Sequence, residues 1–254
     1  MIQRFDTDTD ALISRSCVNA SKAKYDLEEW MIRLLPPLQG LQVLDLGCGA
    51  GKQVFRLAPL ISDNGLILGI DLSSDAISIV NQRATTERLR WVEAQQMSLD
   101  SCLHHLTGSR FDLVISCYAI YYAQDSVALL KGLQSILTNK GVVFVCGPGN
   151  GSNREIYDIV NKFLNASEQL KTIDDFLNPG QIREISCMYS QFTISRLENH
   201  ILFDSPDSVM SWWKNHNSFV PSVADRVEDV IRIHFETNDS FNLSKNVLGI
   251  RFDV

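Results

Sequence analysis

Basic residues are in short supply. The chain of 254 residues carries 23 Lys and Arg against 30 Asp and Glu, a formal net charge of −7. Affinity for nucleic acid is mostly phosphate neutralisation by Lys and Arg, so this balance disfavours a general phosphate-backbone binder, and no nucleic-acid partner is expected. Long apolar runs are also missing. No segment approaches the ~20 residues that cross a bilayer, and the Met1 end lacks the basic-then-apolar pattern of a secretion signal. Cys17, Cys48, Cys102, Cys117, Cys146 and Cys187 form no C-x-x-C and have no histidine at metal-ligand spacing. Free thiols in a reducing cytoplasm are expected, with no metal. Hydrophobic residues at 45% and charged residues at 21% are ordinary for a globular chain with a sizeable core.

What the chain does have is organised around Val43-Leu44-Asp45-Leu46-Gly47-Cys48-Gly49-Ala50-Gly51. Residues at strand spacing run straight into three alternate glycines, and a helical stretch follows. With no Cβ in the way, such a turn lets the backbone pass close to a ligand. Asp45 sits at the strand end, where its carboxylate orders the turn or accepts from a cationic group. A second apolar strand over 66–70 ends in Asp71, twenty residues after Gly51. A carboxylate at the tip of a second strand is where a βαβ unit grips the two hydroxyls of a ribose. The pair outlines a nucleoside site.

A dinucleotide fingerprint reads G-x-G-x-x-G and places a helix start against a pyrophosphate. Here the glycines read G-x-G-x-G, with an aspartate two residues before the first. Asp45-Leu46-Gly47-Cys48-Gly49-Ala50-Gly51 resembles motif I of class I S-adenosylmethionine-dependent methyltransferases, and Gly69-Ile70-Asp71-Leu72-Ser73 resembles the element after it. That resemblance implies a Rossmann-like, doubly wound α/β fold with a mostly parallel seven-stranded sheet and one antiparallel strand. It also implies S-adenosylmethionine as cofactor. Its ammonium and carboxylate tail, with no pyrophosphate, agrees with the glycine spacing. Asp45, Gly47, Cys48 and Gly49 would meet the cofactor through motif I, and Asp71 with Leu72 through the ribose. The family usually carries an acidic residue after the third strand, accepting from the adenine amino group. Gln95 takes that place here, followed by Gln96 and Met97; a Gln carbonyl accepts the same bond without charge.

The run 111–117 resembles the family's motif IV, F-D-L-V-x-S. It puts Cys117 at a strand tip and Tyr122 near the methionyl or sulfonium region. In the resembled enzymes the segment before the first strand folds over the cofactor, which makes Asn19, Lys22 and Tyr25 lid candidates. Tyr118, Tyr121, His200 and His216 are candidate bases for a hydroxyl acceptor. Trp212, Trp213 and Phe219 either wall a flat acceptor or belong to the core of an inserted helix. No N/D-P-P-[YFW] follows the fourth strand, where Ser116-Cys117-Tyr118-Ala119 stands, so methylation of nucleic-acid bases or glutamine loses ground. A small-molecule acceptor is expected, with the protein a monomer or homodimer. A nicotinamide oxidoreductase and a non-catalytic nucleoside-binding module remain the alternatives on the same fold.

Periodicity supplies the remaining elements. Helices are expected over 25–35, 52–60, from a Ser73 or Ser74 cap onward, 129–137, 154–164, 182–189 and 207–215. Further strands are expected over 89–92, 111–117, 142–146, 192–203 and 242–254. Asn139-Lys140-Gly141 reads as a turn. Residues 1–20 read as a mobile arm or a short helix, and His104-His105 as an exposed pair. One domain is expected, with a helical lid over 1–38, a cofactor-binding core over 39–150 and substrate-side elements over 151–254. Within the last, an insertion over about 204–240 covers the cleft. Strand–helix alternation implies right-handed crossovers, with ligands outside the carboxyl ends of the strands.

Overall fold

The computed structural model describes residues 9–171 and 173–254, so the first eight residues of the expected arm lie outside the described residues. The rest of that arm is helix α1 (Thr9–Lys22). Helix α2 (Leu27–Ile32) follows, capped by Asp26, which accepts from the Glu29 N–H at 2.9 Å. It is shorter than the expected 25–35 because that cap sets its start and turns take over at Arg33, ahead of Pro36.

Two crossover units come next: β1 (Gln42–Leu46), α3 (Lys52–Ile61), β2 (Leu66–Asp71), α4 (Ser74–Thr86) and β3 (Val92–Gln96). Ser73 is the cap of α4, accepting from the Ala76 N–H. A short α5 (Cys102–His105) leads to β4 (Phe111–Cys117), α6 (Ser126–Gly132) and β5 (Leu137–Pro148). Beyond them lie α7 (Arg154–Asn161), α8 (Pro179–Ser186) and β6 (Gln191–Leu197). An excursion of β7 (His200–Phe203), α9 (Pro206–Lys214), α10 (Ala224–Thr237) and β8 (Phe241–Ser244) precedes the closing strand β9 (Val247–Asp253).

The main sheet has seven strands in the order β3-β2-β1-β4-β5-β9-β6. Only β9 runs antiparallel to its neighbours, so the fold is the doubly wound, Rossmann-like one. Strand order reverses at β1, with β2 on one side and β4 on the other, and there the crossovers part to leave a crevice. The central strands are apolar on both faces, as a sheet covered on both sides demands. Val43 and Ile67 pack with α3 and α4 on one face; Leu44, Ile70 and Val145 pack with α6 and α8 on the other. A third apolar cluster joins α7 to the β7–β8 excursion through Phe203, Trp212, Trp213 and Ile231.

Several boundaries differ from the expectation. The third strand is Val92–Gln96 rather than 89–92, because 84–92 still turn out of α4 and pairing with β2 begins at Ile67↔Val92. Asn139-Lys140-Gly141 does not separate a helix from a strand: α6 ends at Gly132, and β5 starts at Leu137 with a register irregularity opposite Phe111 and Leu113. The single strand expected over 192–203 is two, β6 in the main sheet and β7 paired with β8. The terminal run likewise divides at Lys245-Asn246 into β8 and β9. The segment between β6 and β9 thus carries its own two-stranded sheet, β7 with β8, on either side of the expected insertion of about 204–240. Helices α7, α8 and α9 each shift by a few residues; α8 starts early because Asn178 and Gln181 form a reciprocal capping box.

Leu57 is wholly buried against the β1–β2 face. Leu57→Ala should lower the unfolding free energy by about 2–5 kcal/mol, read from the urea midpoint at unchanged slope.

Candidate functional site

Strands β1 and β2 end side by side, with Leu46 opposite Ile70. The Gly47 and Cys48 N–H groups both donate to the Ile70 carbonyl, at 2.8 and 2.9 Å, which folds the glycine turn onto the β2 tip. Gly47 has φ +75° and faces a tight neighbour: a Cβ there would stand 2.2 Å from the Ala119 Cβ. Gly49 is also left-handed, at φ +51°. Bare backbone is therefore a steric requirement of this turn.

Asp71 stitches the crevice together. Its Oδ2 accepts from the Gly49 N–H and its Oδ1 from the Ser73 N–H, each at 2.9 Å. A carboxylate has about four lone-pair sites, so both oxygens keep capacity for hydroxyl donors. Asp45 is in the opposite position. It is 1% exposed, its Oδ2 has no hydrogen-bond partner, and no ion pair among the described residues reaches it. Burial, and secondarily the Asp71 charge, push its carboxyl up to about 8 from the ordinary 3.8. Such a group needs either a proton or a cation brought by a ligand.

Beyond β2, Leu72, Gln96, Met97, Ser98, Ser101 and His105 line a cavity of about 280 Å³. Leu72, Gln96 and Met97 were expected here. Gln95 is not among the lining residues; its amide bonds the Glu93 carboxylate at 2.8 Å, while Gln96 donates to the Leu72 carbonyl at 3.0 Å. The one-residue difference follows from strand alternation, because β3 continues through Gln96 and turns Gln95 the other way. Ser98, Ser101 and His105 were missed. Their signal is a run of polar side chains directly after the third strand tip, and the His pair is exposed as expected.

The other wall is formed by the tips of β4 and β5. Tyr118 has φ +60° and donates its N–H to the Cys146 carbonyl at 2.8 Å. Burial raises its phenol above the ordinary range, which keeps it a hydroxyl donor. Tyr121 packs on Tyr122 and Phe176, with ring centres 4.9 and 6.2 Å apart. A Cβ on Gly147 would stand 2.9 Å from the Phe176 ring, so that ring lies directly over the β5 tip. Cys48 and Cys117 are packing thiols. Burial chiefly raises the first, and a contact with Cys146 the second, whose Sγ is also 3.4 Å from the Met31 Sδ. Tyr25 lies at the surface just before α2, whose Glu28 pairs with Lys52 at the start of α3 at 2.8 Å.

Two further candidates are drawn into the insertion. His216 is buried between Trp212 and Trp213; its Nδ1 accepts from the Ser218 N–H at 3.1 Å and its Nε2 faces the Asn153 amide at 3.2 Å. A ring so engaged ties the insertion to the start of α7. Trp212 and Trp213 are 2% and 0% exposed, so they are core and not an acceptor wall. His200 lies on β7 with Nδ1 buried and unpartnered. Asn19 accepts from the Trp212 indole at 3.0 Å and Lys22 pairs with Asp204 at 3.0 Å, which docks α1 on the insertion.

A doubly wound sheet with a glycine turn and a carboxylate on adjacent tips is an arrangement that suits a nucleoside. Residues 37–204 match the methyltransferase-domain family, and the chain belongs to it. It is 29% identical over 118 residues to the aklanonic acid methyltransferase of Streptomyces sp. (strain C5), covering 46% of this chain and 53% of that one. It is likewise 29% identical over 116 residues to the ubiquinone biosynthesis O-methyltransferase of Albidiferax ferrireducens, covering 46% and 44%. The chain thus spans about half the length of these curated relatives. Among solved structures, the YcgJ protein of Bacillus subtilis superposes with a TM-score of 0.60 at 16% identity over 89% of this chain and 97% of that one. A SAM-dependent methyltransferase from Aquifex aeolicus does so with 0.52 at 10% identity over 96% and 98%.

Asp45 supplies a pH test. A folded-state pKa raised from 3.8 to about 8 means stability is lost as pH rises through that interval, since the unfolded chain gives up the proton first. The ligand-free Asp45→Asn protein should therefore melt near the wild type at pH 4 and increasingly above it toward pH 8, by scanning calorimetry at each pH. Equal melting differences across the range would contradict the assignment.

Proposed function

We propose that the chain binds S-adenosylmethionine at the β1–β2 tips and transfers its methyl group to a small-molecule acceptor. The observation that carries this reading is the pair of carboxyls at adjacent strand ends. Asp45 has an unpartnered buried oxygen suited to an ammonium, and Asp71 has capacity suited to ribose hydroxyls. The glycine turn, which a Cβ at Gly47 would fill, suits close passage of a ligand along the backbone. The cavity past Leu72 and Gln96 suits the adenine, with Gln96 taking the place first given to Gln95. Family membership supports the same reading.

When bound, the cofactor supplies a methyl group activated by its sulfonium. The chain's own task is then alignment. Holding an acceptor in line is worth up to ~7–11 kcal/mol, whereas a positioned base adds about 10²–10⁴-fold. Tyr118, Tyr121, Tyr122 and Phe176 form the aromatic side of the crevice and would orient the acceptor. We assign Tyr121, whose ring packs on Tyr122 and Phe176, the hydrogen bond to an acceptor hydroxyl. Relatives named for aklanonic acid and ubiquinone biosynthesis favour an aromatic or quinone-like acceptor. Among the described residues no helix is long and apolar enough to cross a membrane. Separate free cysteines suit a reducing cytoplasm as the working compartment.

S-adenosylhomocysteine should raise the melting temperature of the protein, whereas NAD should not. A shift with NAD alone would favour the oxidoreductase, and binding without turnover of any acceptor would favour the non-catalytic module. Asp71→Ala should weaken S-adenosylhomocysteine about ten- to a hundredfold by titration calorimetry, since it removes charge-assisted hydrogen bonds of about 1.5–3 kcal/mol. Unchanged affinity would defeat the ribose assignment.

A further inference from the structure

The two edges of the main sheet are built differently. At one edge β3 carries Glu93, packs on α4 and offers its outer backbone to Asn81 of that helix. The Asn81 Nδ2 donates to the Ala94 carbonyl at 2.8 Å, and its Oδ1 accepts from the Ala94 N–H at 2.9 Å. A charge and a side-chain amide thus close that edge to further pairing. At the other edge β6 pairs with β9 over all 7 of its residues without a register shift. Among the described residues no strand lies on its outer side. It contains no proline, lysine or acidic residue, which are the usual guards of an open edge. Gln191, Phe192, Thr193 and Ile194 are all exposed, the two apolar ones to 44% and 45%. Phe192 continues outward from the core, its ring centre 6.3 Å from that of buried Phe252.

The order of the side chains indicates what covers this edge. Gln191-Phe192-Thr193-Ile194-Ser195 reads polar, apolar, Thr, apolar, polar in either direction about Thr193. An antiparallel second copy centred there would set Phe192 against the copy's Ile194 on both sides of the axis, and Thr193 against itself. Aromatic–β-branched and Thr–Thr pairs are favourable cross-strand neighbours. Charge agrees with this arrangement. Arg196, the one charged residue of the strand, would fall opposite Ser190, just past the C-terminal end of α8, where a cation suits the helix dipole. Parallel pairing in register would instead set Arg196 beside Arg196.

We propose that β6 is the contact between two copies of this chain, an isologous antiparallel pair about Thr193 that joins the two main sheets into one. The Leu197 end of β6 lies, through Val247, on the same edge as Pro148 and the crevice, so the two crevices of the pair face opposite ways. The contact does not depend on the methyl-transfer reading. Strand pairing of this length is at the small end of specific interfaces, so the pair should dissociate on dilution.

Sedimentation velocity on a dilution series of the full chain tests this, with Ile194→Lys and Ile233→Lys alongside. Ile233 is 62% exposed on α10, so its substitution removes an equally open isoleucine away from the edge. The wild type should sediment as a dimer at about 100 µM and shift toward monomer on dilution, and Ile233→Lys should match it. Ile194→Lys should keep its circular dichroism spectrum but associate about a hundredfold more weakly or not at all. A wild type that is monomeric at the highest concentration, or a dimer that Ile194→Lys leaves intact, would overturn the proposal. So would a dimer that Ile233→Lys dissociates. Thr193→Cys, placed in a Cys17→Ser, Cys187→Ser background that lacks the exposed native thiols, tests the register. Oxidation with diamide should link two copies through position 193 and leave the background protein unlinked, because directly opposed strand residues lie within disulfide reach. Absence of that link would overturn the pairing about Thr193.

Discussion

Two carboxyls stand at the ends of neighbouring parallel strands, and no ion pair among the described residues reaches the buried one. Asp71 meets this by accepting two backbone N–H groups, one from the glycine turn and one from the turn into α4. Asp45, buried one strand away, has no such partner for its Oδ2 and holds its proton toward neutral pH instead. The shape of the crevice depends on this division. The Asp71 bonds draw Gly49 onto the β2 tip, and the same turn keeps Gly47 against Ala119. A cationic ligand group would relieve an acid whose buried oxygen the fold leaves without a partner.

The elements above the sheet make sense as a cover for that edge. The loop after α7 is held across the β5 tip by Asp175, which takes a two-pronged bond from Arg196 at 2.8 and 2.6 Å and accepts from the Asn150 N–H. An ion pair this exposed contributes little stability, so its use is geometric: it keeps Phe176 beside Tyr121. On the other flank, Lys245 donates to Asn153, and Asn153 meets His216, so a polar chain runs from the turn before β9 into the insertion. Buried polar groups that satisfy one another specify one arrangement of the elements they join. The joined elements here are α7, the insertion and the turn before β9.

Legibility followed the range of the forces involved. The strand 111–117 was read to the residue, and the cap of α4 to Ser73 or Ser74, because alternation and capping are set by neighbours in sequence. The third strand was placed too early because 89–92 look as apolar as a strand. Their backbone is taken by the end of α4, and only pairing with β2 shows where the ladder begins. Gln96 and not Gln95 lines the cavity past β2 for the same kind of reason, since one residue on a strand is one face of the sheet. The tryptophans and His216 were ambiguous for a different reason: a buried aromatic at helical spacing reads the same whether it faces a core or a ligand.

The amino-acid sequence alone determined the βα alternation, the glycine turn with its two carboxylates, and hence the edge at which a nucleoside site is proposed. Each of these is a local pattern, complete within a few tens of residues. Tertiary structure decided the rest: that the runs 192–203 and 242–254 each divide between two sheets, and that Asp45 keeps an unpartnered oxygen. It also decided that an asparagine 174 positions away holds Tyr25 by both backbone groups. Those outcomes depend on which surfaces exclude water from one another, and no window of sequence contains both partners.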